Sequence, residues 1–162
     1  MENTSKLRIL FFTPYSKITG SAVVLFNLLR HIDREKIEVG VFSMENGILL
    51  SSLPFGIPVW YNKPYSSWDY RKENIRRKLK IAPVDIIERR IMKTHKEFKP
   101  HLWCLNTVLM TKAAEIACKY SIPYSMLVHD MQYTIAEDLV KHASFAIGGS
   151  ECVCEDLRIS GY

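Results

Sequence analysis

LRILFFTPYSKITGSA, running from Leu7 to Ala22, is the stretch on which the reading of this chain turns. A short apolar run gives way to a polar turn. Gly20-Ser21 then opens a helical pattern that extends to Ile32. A buried strand passing through a glycine turn into a helix leaves unpaired backbone N–H groups facing the strand's carboxyl end, where a phosphate or diphosphate is well accommodated. In open parallel sheets, ligands gather in the crevice beyond those carboxyl ends. The first thirty residues therefore predict an α/β domain with an anion-competent loop.

The rest of the chain extends the alternation. Strands are expected at Leu7–Thr13, Ile37–Ser43, Ile57–Tyr61, His101–Asn106, Pro123–His129 and Ser144–Gly148. Helices are expected over Ala22–Ile32, Gly47–Leu53, Tyr70–Lys80, from about Pro83 to Lys99, and over Val108–Tyr120, Thr134–His142 and Ser150 to about Ile159. Pro83 suits a first helical turn, where its missing N–H costs nothing, and Ser150 suits an N-cap. Alternating strands and helices argue for a parallel sheet covered on both faces. The expected fold is a doubly wound, Rossmann-like α/β sheet of about six strands in the order 3-2-1-4-5-6, with its switch point between the first and fourth strands.

Bulk properties fit one soluble globular domain spanning 1–162. Hydrophobic residues make up 48% and charged residues 24%, with a net charge of +5. A chain of this size buries roughly 70% of its unfolded surface. The four cysteines, Cys104, Cys118, Cys152 and Cys154, form no CxxC pair and read as reduced thiols of a cytoplasmic protein. Metal binding at Cys152 and Cys154 lacks further ligands, so no metal is expected. No run approaches a membrane span, and the polar start MENTSKLR carries no sign of a targeting peptide.

Three stretches together resemble the amino-terminal domain of the family 4 retaining glycosyltransferases of the GT-B fold. RILFFTPYSKITGSAVVLFNLLRHI is similar to the family's opening strand, loop and helix. KPHLWCLNTVLMTKAAEIACKYSIPYSMLVHD is similar to its "KPD…H…A…IP…HD" block, and ASFAIGGSECVCEDLRISG to the segment that closes the domain. The resemblance covers nearly the whole chain. It implies the acceptor-side domain of an enzyme that transfers a hexose-like sugar from a nucleotide-diphosphate sugar to a hydroxyl acceptor, in glycan or glycolipid synthesis. The carboxyl-terminal domain, which holds most of the donor site in that family, is absent from this sequence, so the isolated chain is expected to have little transferase activity. No cofactor is implied beyond the nucleotide sugar as co-substrate.

The resemblance also assigns residues. His129 matches the family's histidine after the fifth strand and is implied to act at the reaction centre, with Asp130 orienting it or raising its pKa. Gly20 and Ser21 are implied to face the donor diphosphate, although the family's usual pair of glycines is here Thr19-Gly20-Ser21. Tyr15 and Ser16 match a loop triplet that contacts acceptor, and Asn106 ends the fourth strand in the same crevice. Each has a plainer reading: a strand–helix turn for Gly20, a satisfied strand-end histidine for His129, and loop packing for Tyr15.

One segment stands apart. Arg71, Lys72, Arg76, Arg77, Lys78 and Lys80 against Glu73 are interleaved with Trp68, Tyr70, Ile75 and Leu79. Such a surface suits peripheral contact with an anionic membrane, at its inner face, as well as a plain solvated helix. No nucleic-acid recognition motif accompanies it. Two other functions stay open. A dinucleotide-binding module needs G-x-G-x-x-G after the first strand, where this chain has a single glycine. A non-catalytic Rossmann-like ligand-binding or regulatory module has the same fold.

Overall fold

The computed structural model describes residues 5–17, 19–129 and 137–161. Six strands form one sheet: β1 Leu7–Thr13, β2 Ile37–Ser43, β3 Val59–Tyr61, β4 Leu102–Leu105, β5 Tyr124–Val128 and β6 Phe145–Gly148. Their order is β3-β2-β1-β4-β5-β6 and every pairing is parallel, as the alternation predicts. The helices are α1 Gly20–His31, α2 Ile48–Ser51, α3 Ser67–Lys78, α4 Ile86–Phe98, α5 Thr111–Lys119, α6 Glu137–Lys141 and α7 Glu151–Ile159.

The register assigns each side chain to a face. Phe11 lies opposite Val41 and Cys104, whereas Phe12 lies opposite Phe42 and Leu105. The period of two along each strand therefore fills two separate cores. On one face Phe12, Phe42, Trp103, Leu105 and Met126 meet Ile91 and Phe98 of α4, the small residues Ala113, Ala114 and Ala117 of α5, and Val153 and Leu157 of α7. On the other, Phe11, Val39, Val41, Cys104 and Leu127 meet Leu25 and Leu29 of α1. Burial raises the Cys104 thiol to about 11, so it stays protonated and inert.

Helix α4 starts later than expected. Asp85 accepts a hydrogen bond from the Glu88 amide at 3.0 Å and forms the N-cap, which leaves Pro83 outside the helix. The same two carboxylates then tie α4 to α5. Asp85 pairs with Lys112 at 2.6 Å and Glu88 with Lys119 at 2.7 Å, and both acids are held below their ordinary values chiefly by those lysines. Helix α3 differs from its neighbours in having no buried residue. Its Ser66 and Asp69 complete a capping box, and Arg90 of α4 lies 3.5 Å from Asp69.

His95 of α4 is the group most telling for pH dependence. The fully buried Trp103 donates its indole N–H to His95 Nδ1 at 3.1 Å. Burial, with the nearby Lys96, lowers the histidine pKa below its ordinary value. The unfolded chain therefore takes up this proton first as pH falls. The contribution is complete above about pH 6.5 and is lost as pH drops through that value toward the lower folded one. Urea unfolding between about pH 7.5 and pH 5 should show this decline, and His95→Gln should flatten it. An unchanged slope in the variant would assign the decline to another group.

Candidate functional site at the carboxyl ends of the strands

The site grows from the turn after β1. Thr19 caps α1, its hydroxyl accepting from the Ala22 amide. Gly20 and Ser21 lie ahead of the first intrahelical bond, and their amides have no hydrogen bond among the described residues. They carry the positive end of the helix dipole. A Cβ built on Gly20 would meet nothing within 4 Å. The fold itself does not require glycine there, and the backbone is exposed in front of it.

Asn106 joins two strand ends and a helix start into one unit. Its side chain is fully buried. Nδ2 donates to the Ser21 carbonyl at 3.0 Å, and Oδ1 lies 3.0 Å from His129 Nε2. The first bond fixes the amide orientation, so Oδ1 is the acceptor and His129 Nε2 carries the proton that it donates. The start of α1, the end of β4 and the end of β5 are thus linked across the switch point, by a bond to backbone on one side of Asn106 and to a side chain on the other. The neighbouring Thr107 has φ +129°, a conformation rarely adopted by a β-branched residue. Its N–H donates to the Leu105 carbonyl at 3.0 Å, and its carbonyl accepts from Met110 at 3.1 Å. This strained turn directs the chain away from β4, and strain of this kind costs about 1–3 kcal/mol.

The remaining candidates occupy different places. Tyr15 is exposed on the loop, at the rim. Ser16 is turned inward and fully buried, and its hydroxyl has no hydrogen-bond partner among the described residues. Its carbonyl accepts from the Leu49 amide at 3.0 Å. A Cβ at Gly47 would lie 2.3 Å from Ser16 Oγ, so only glycine allows the two loops to meet so closely. Ser150 caps α7 by accepting from the Val153 amide. Asp130 lies outside the described residues. Sequence reasoning gave Gly149 no role, yet a Cβ there would stand 3.3 Å from His129 Cα and 3.5 Å from its Nδ1. The Gly148-Gly149 pair in the sequence is the signal that marks this close approach.

No three His, Cys, Asp or Glu side chains gather as a metal site requires among the described residues. No helix of the described residues is long and apolar enough to cross a membrane.

No protein-family model matches the sequence, and no curated protein is similar to it at a significant level. Solved structures with a similar chain course include a UGT transferase from Siraitia grosvenorii in complex with UDP, at 14% identity and a TM-score of 0.47 over 76% of this chain. A UGT from Medicago truncatula complexed with UDP-glucose gives 15% identity and a TM-score of 0.48 over 76% of the chain. UGT2 from Phytolacca americana without ligand gives 12% and 0.48 over 85%. The chain spans 28%, 29% and 34% of these three structures respectively. At this level of similarity the function is argued from the site itself.

Proposed function

We propose that this chain is the acceptor-side domain of a nucleotide-sugar-dependent glycosyltransferase of the GT-B type, acting in the cytoplasm on a hydroxyl acceptor. The observation that carries the reading is the Ser21–Asn106–His129 linkage at the switch point, beside the unpaired amides of Gly20 and Ser21. Two features of an anion-assisted transfer meet there: backbone N–H groups for negative charge, and an imidazole held in one tautomer by a buried amide. The order of the three sequence stretches that resemble family 4 supports the same reading and, with it, retention of configuration. In this scheme His129 acts at the reaction centre, Gly20 and Ser21 face the diphosphate, and Tyr15 stands at the acceptor rim. Peripheral contact with an anionic membrane through Arg71–Lys80 belongs to the proposal as well, supported by the exposed Trp68, Tyr70, Ile75 and Leu79 among those cations.

Gly20→Ala separates this reading from a plain strand–helix turn. The methyl meets open space and helix propensity favours alanine, so thermal stability should hold or rise by about 0.4–1 kcal/mol. Amide spectra of the parent chain with UDP-glucose at high concentration should move Gly20 and Ser21, and the variant should lose that response. Uridine and guanosine diphosphate sugars alone should bind weakly. A low-micromolar dissociation constant for either would move the donor site into this domain and overturn its acceptor-side assignment.

A further inference from the structure

A groove of about 910 Å3 runs between α3 and α4, away from the strand-end site. Lys72 and Arg76 line it from one wall, and Arg89, Arg90, Lys93 and Lys96 from the other. Only Asp69 and Glu73 oppose them, so the lining carries a net charge of +4. Arg90 is committed to Asp69 and to Asn62, whose Oδ1 accepts from it at 2.7 Å. Arg76 donates to the Ala82 carbonyl at 3.5 Å. The side chains of Lys72, Arg89, Lys93 and Lys96 have no ion pair or hydrogen bond among the described residues.

The spacing makes this arrangement unfavourable by itself. Lys72 and Arg76 are i,i+4 neighbours on α3, as are Arg89 and Lys93 on α4, with Lys96 a further three residues along. Each such like-charge pair destabilises its helix by about 0.2–0.5 kcal/mol. A concave, low-dielectric surface also concentrates the field of charges that face one another across it. The half-buried Ile86 and Met92 give the groove an apolar floor. An adjoining cavity of about 410 Å3 shares Arg90 and Lys93 and adds Trp60, Tyr61 and Lys63, with the carboxylate of Glu97.

We propose that this groove is a second binding site, for a compact polyanion carrying several phosphate or carboxylate groups on a ring-sized body. The unpaired cations supply charge-assisted hydrogen bonds to the anionic groups. The apolar floor and the aromatic rings of Trp60 and Tyr61 receive the ring faces. A phosphorylated sugar and an acidic oligosaccharide both have this chemistry. A bilayer does not fit between two helices, and contact with one would use Arg71, Arg77 and Lys78, which do not line the groove. None of the lining residues belongs to the Gly20–Asn106–His129 site, so the groove is independent of the transfer chemistry, although Lys72, Ile75 and Arg76 lie in the segment proposed for membrane contact.

Amide spectra of the whole chain titrated with fructose 1,6-bisphosphate, with trigalacturonate and with uncharged maltotriose test it. At low salt, at least one anionic probe should shift amides of residues 72–76 and 89–96, with affinity falling as salt is raised. Binding by the bisphosphate alone identifies a phosphorylated ligand, and binding by trigalacturonate alone an acidic glycan. The triple variant Arg89→Gln, Lys93→Gln, Lys96→Gln should weaken binding by about tenfold or more, equivalent to one charge-assisted contact. These side chains are exposed and unpaired, so the fold should be retained. A second triple variant, Arg71→Gln, Arg77→Gln, Lys78→Gln, should bind as the parent does. The proposal is overturned if neither anion binds, if maltotriose binds equally well, or if the α4 variant binds like the parent. Sedimentation with phosphatidylglycerol vesicles that is lost in the second variant, with neither soluble anion binding, would replace it with a membrane surface.

Discussion

Asn106→Ala should both destabilise the domain and disorganise the strand-end site. The substitution leaves the Ser21 carbonyl and the His129 ring without their shared partner. Losing these two half-buried hydrogen bonds should cost about 1–3 kcal/mol in all. The His129 side-chain signals should broaden or move, and any UDP-glucose-induced shift at Ser21 should vanish. Asn106→Asp is the informative companion. It keeps an oxygen facing His129 but places a carboxylate against the Ser21 carbonyl. The His129 pKa should rise in that variant, because a negative charge favours the imidazolium, while the start of α1 loosens. If Asn106→Ala unfolds at the same denaturant concentration as the parent, the linkage is not structural in solution.

Trp103→Ala should produce the largest stability loss, about 3–5 kcal/mol. The side chain is fully buried, its ring centroid stands 4.6 Å from that of Phe12, and its indole is the donor to His95. For a domain of this size the thermal midpoint should fall by on the order of 10 °C. Trp103→Phe preserves most of the packing and removes only the N–H. It should cost far less and should abolish the pH dependence attributed to His95 only if that bond sets it. Calorimetry of both variants across the histidine range distinguishes packing from hydrogen bonding.

The sheet could be read from the sequence because its determinants are local. Apolar runs such as IEVGVFS and YSMLV alternate with helical spacings, and parallel right-handed crossovers leave few orders for the strands. The element ends were less legible. Pro83 has the backbone preference of a first turn, but the Asp85 side chain captures the Glu88 amide and starts α4 after it. At the site, His129 and Gly20 were marked by sequence pattern, whereas the central part played by Asn106 depends on contacts 85 and 23 residues away. The inward turn of Ser16 depends on Gly47, a loop partner that no periodicity reveals. The cations of α3 stood out in the sequence, and those of α4 did not. Their meeting across one groove is set by the crossover that carries the chain from β3, at the sheet's edge, to β4 beside β1.

Helix α3 has its own thermodynamic standing. With no side chain buried, it is joined to α4 through Asp69 and Arg90 and to its flanking loops through Tyr70 and Arg76, and otherwise depends on its own turns. Its amides should exchange with solvent through local opening, at free energies far below those of β1 or β4. One wall of the cationic groove is therefore a segment that opens without the rest of the domain. A polyanion that bridges Lys72 and Arg76 to Arg89 and Lys93 would bind only the closed form, and so would slow exchange along α3 while leaving the sheet unchanged. Occupancy of the groove becomes a means of ordering a helix that the sequence alone leaves weakly anchored.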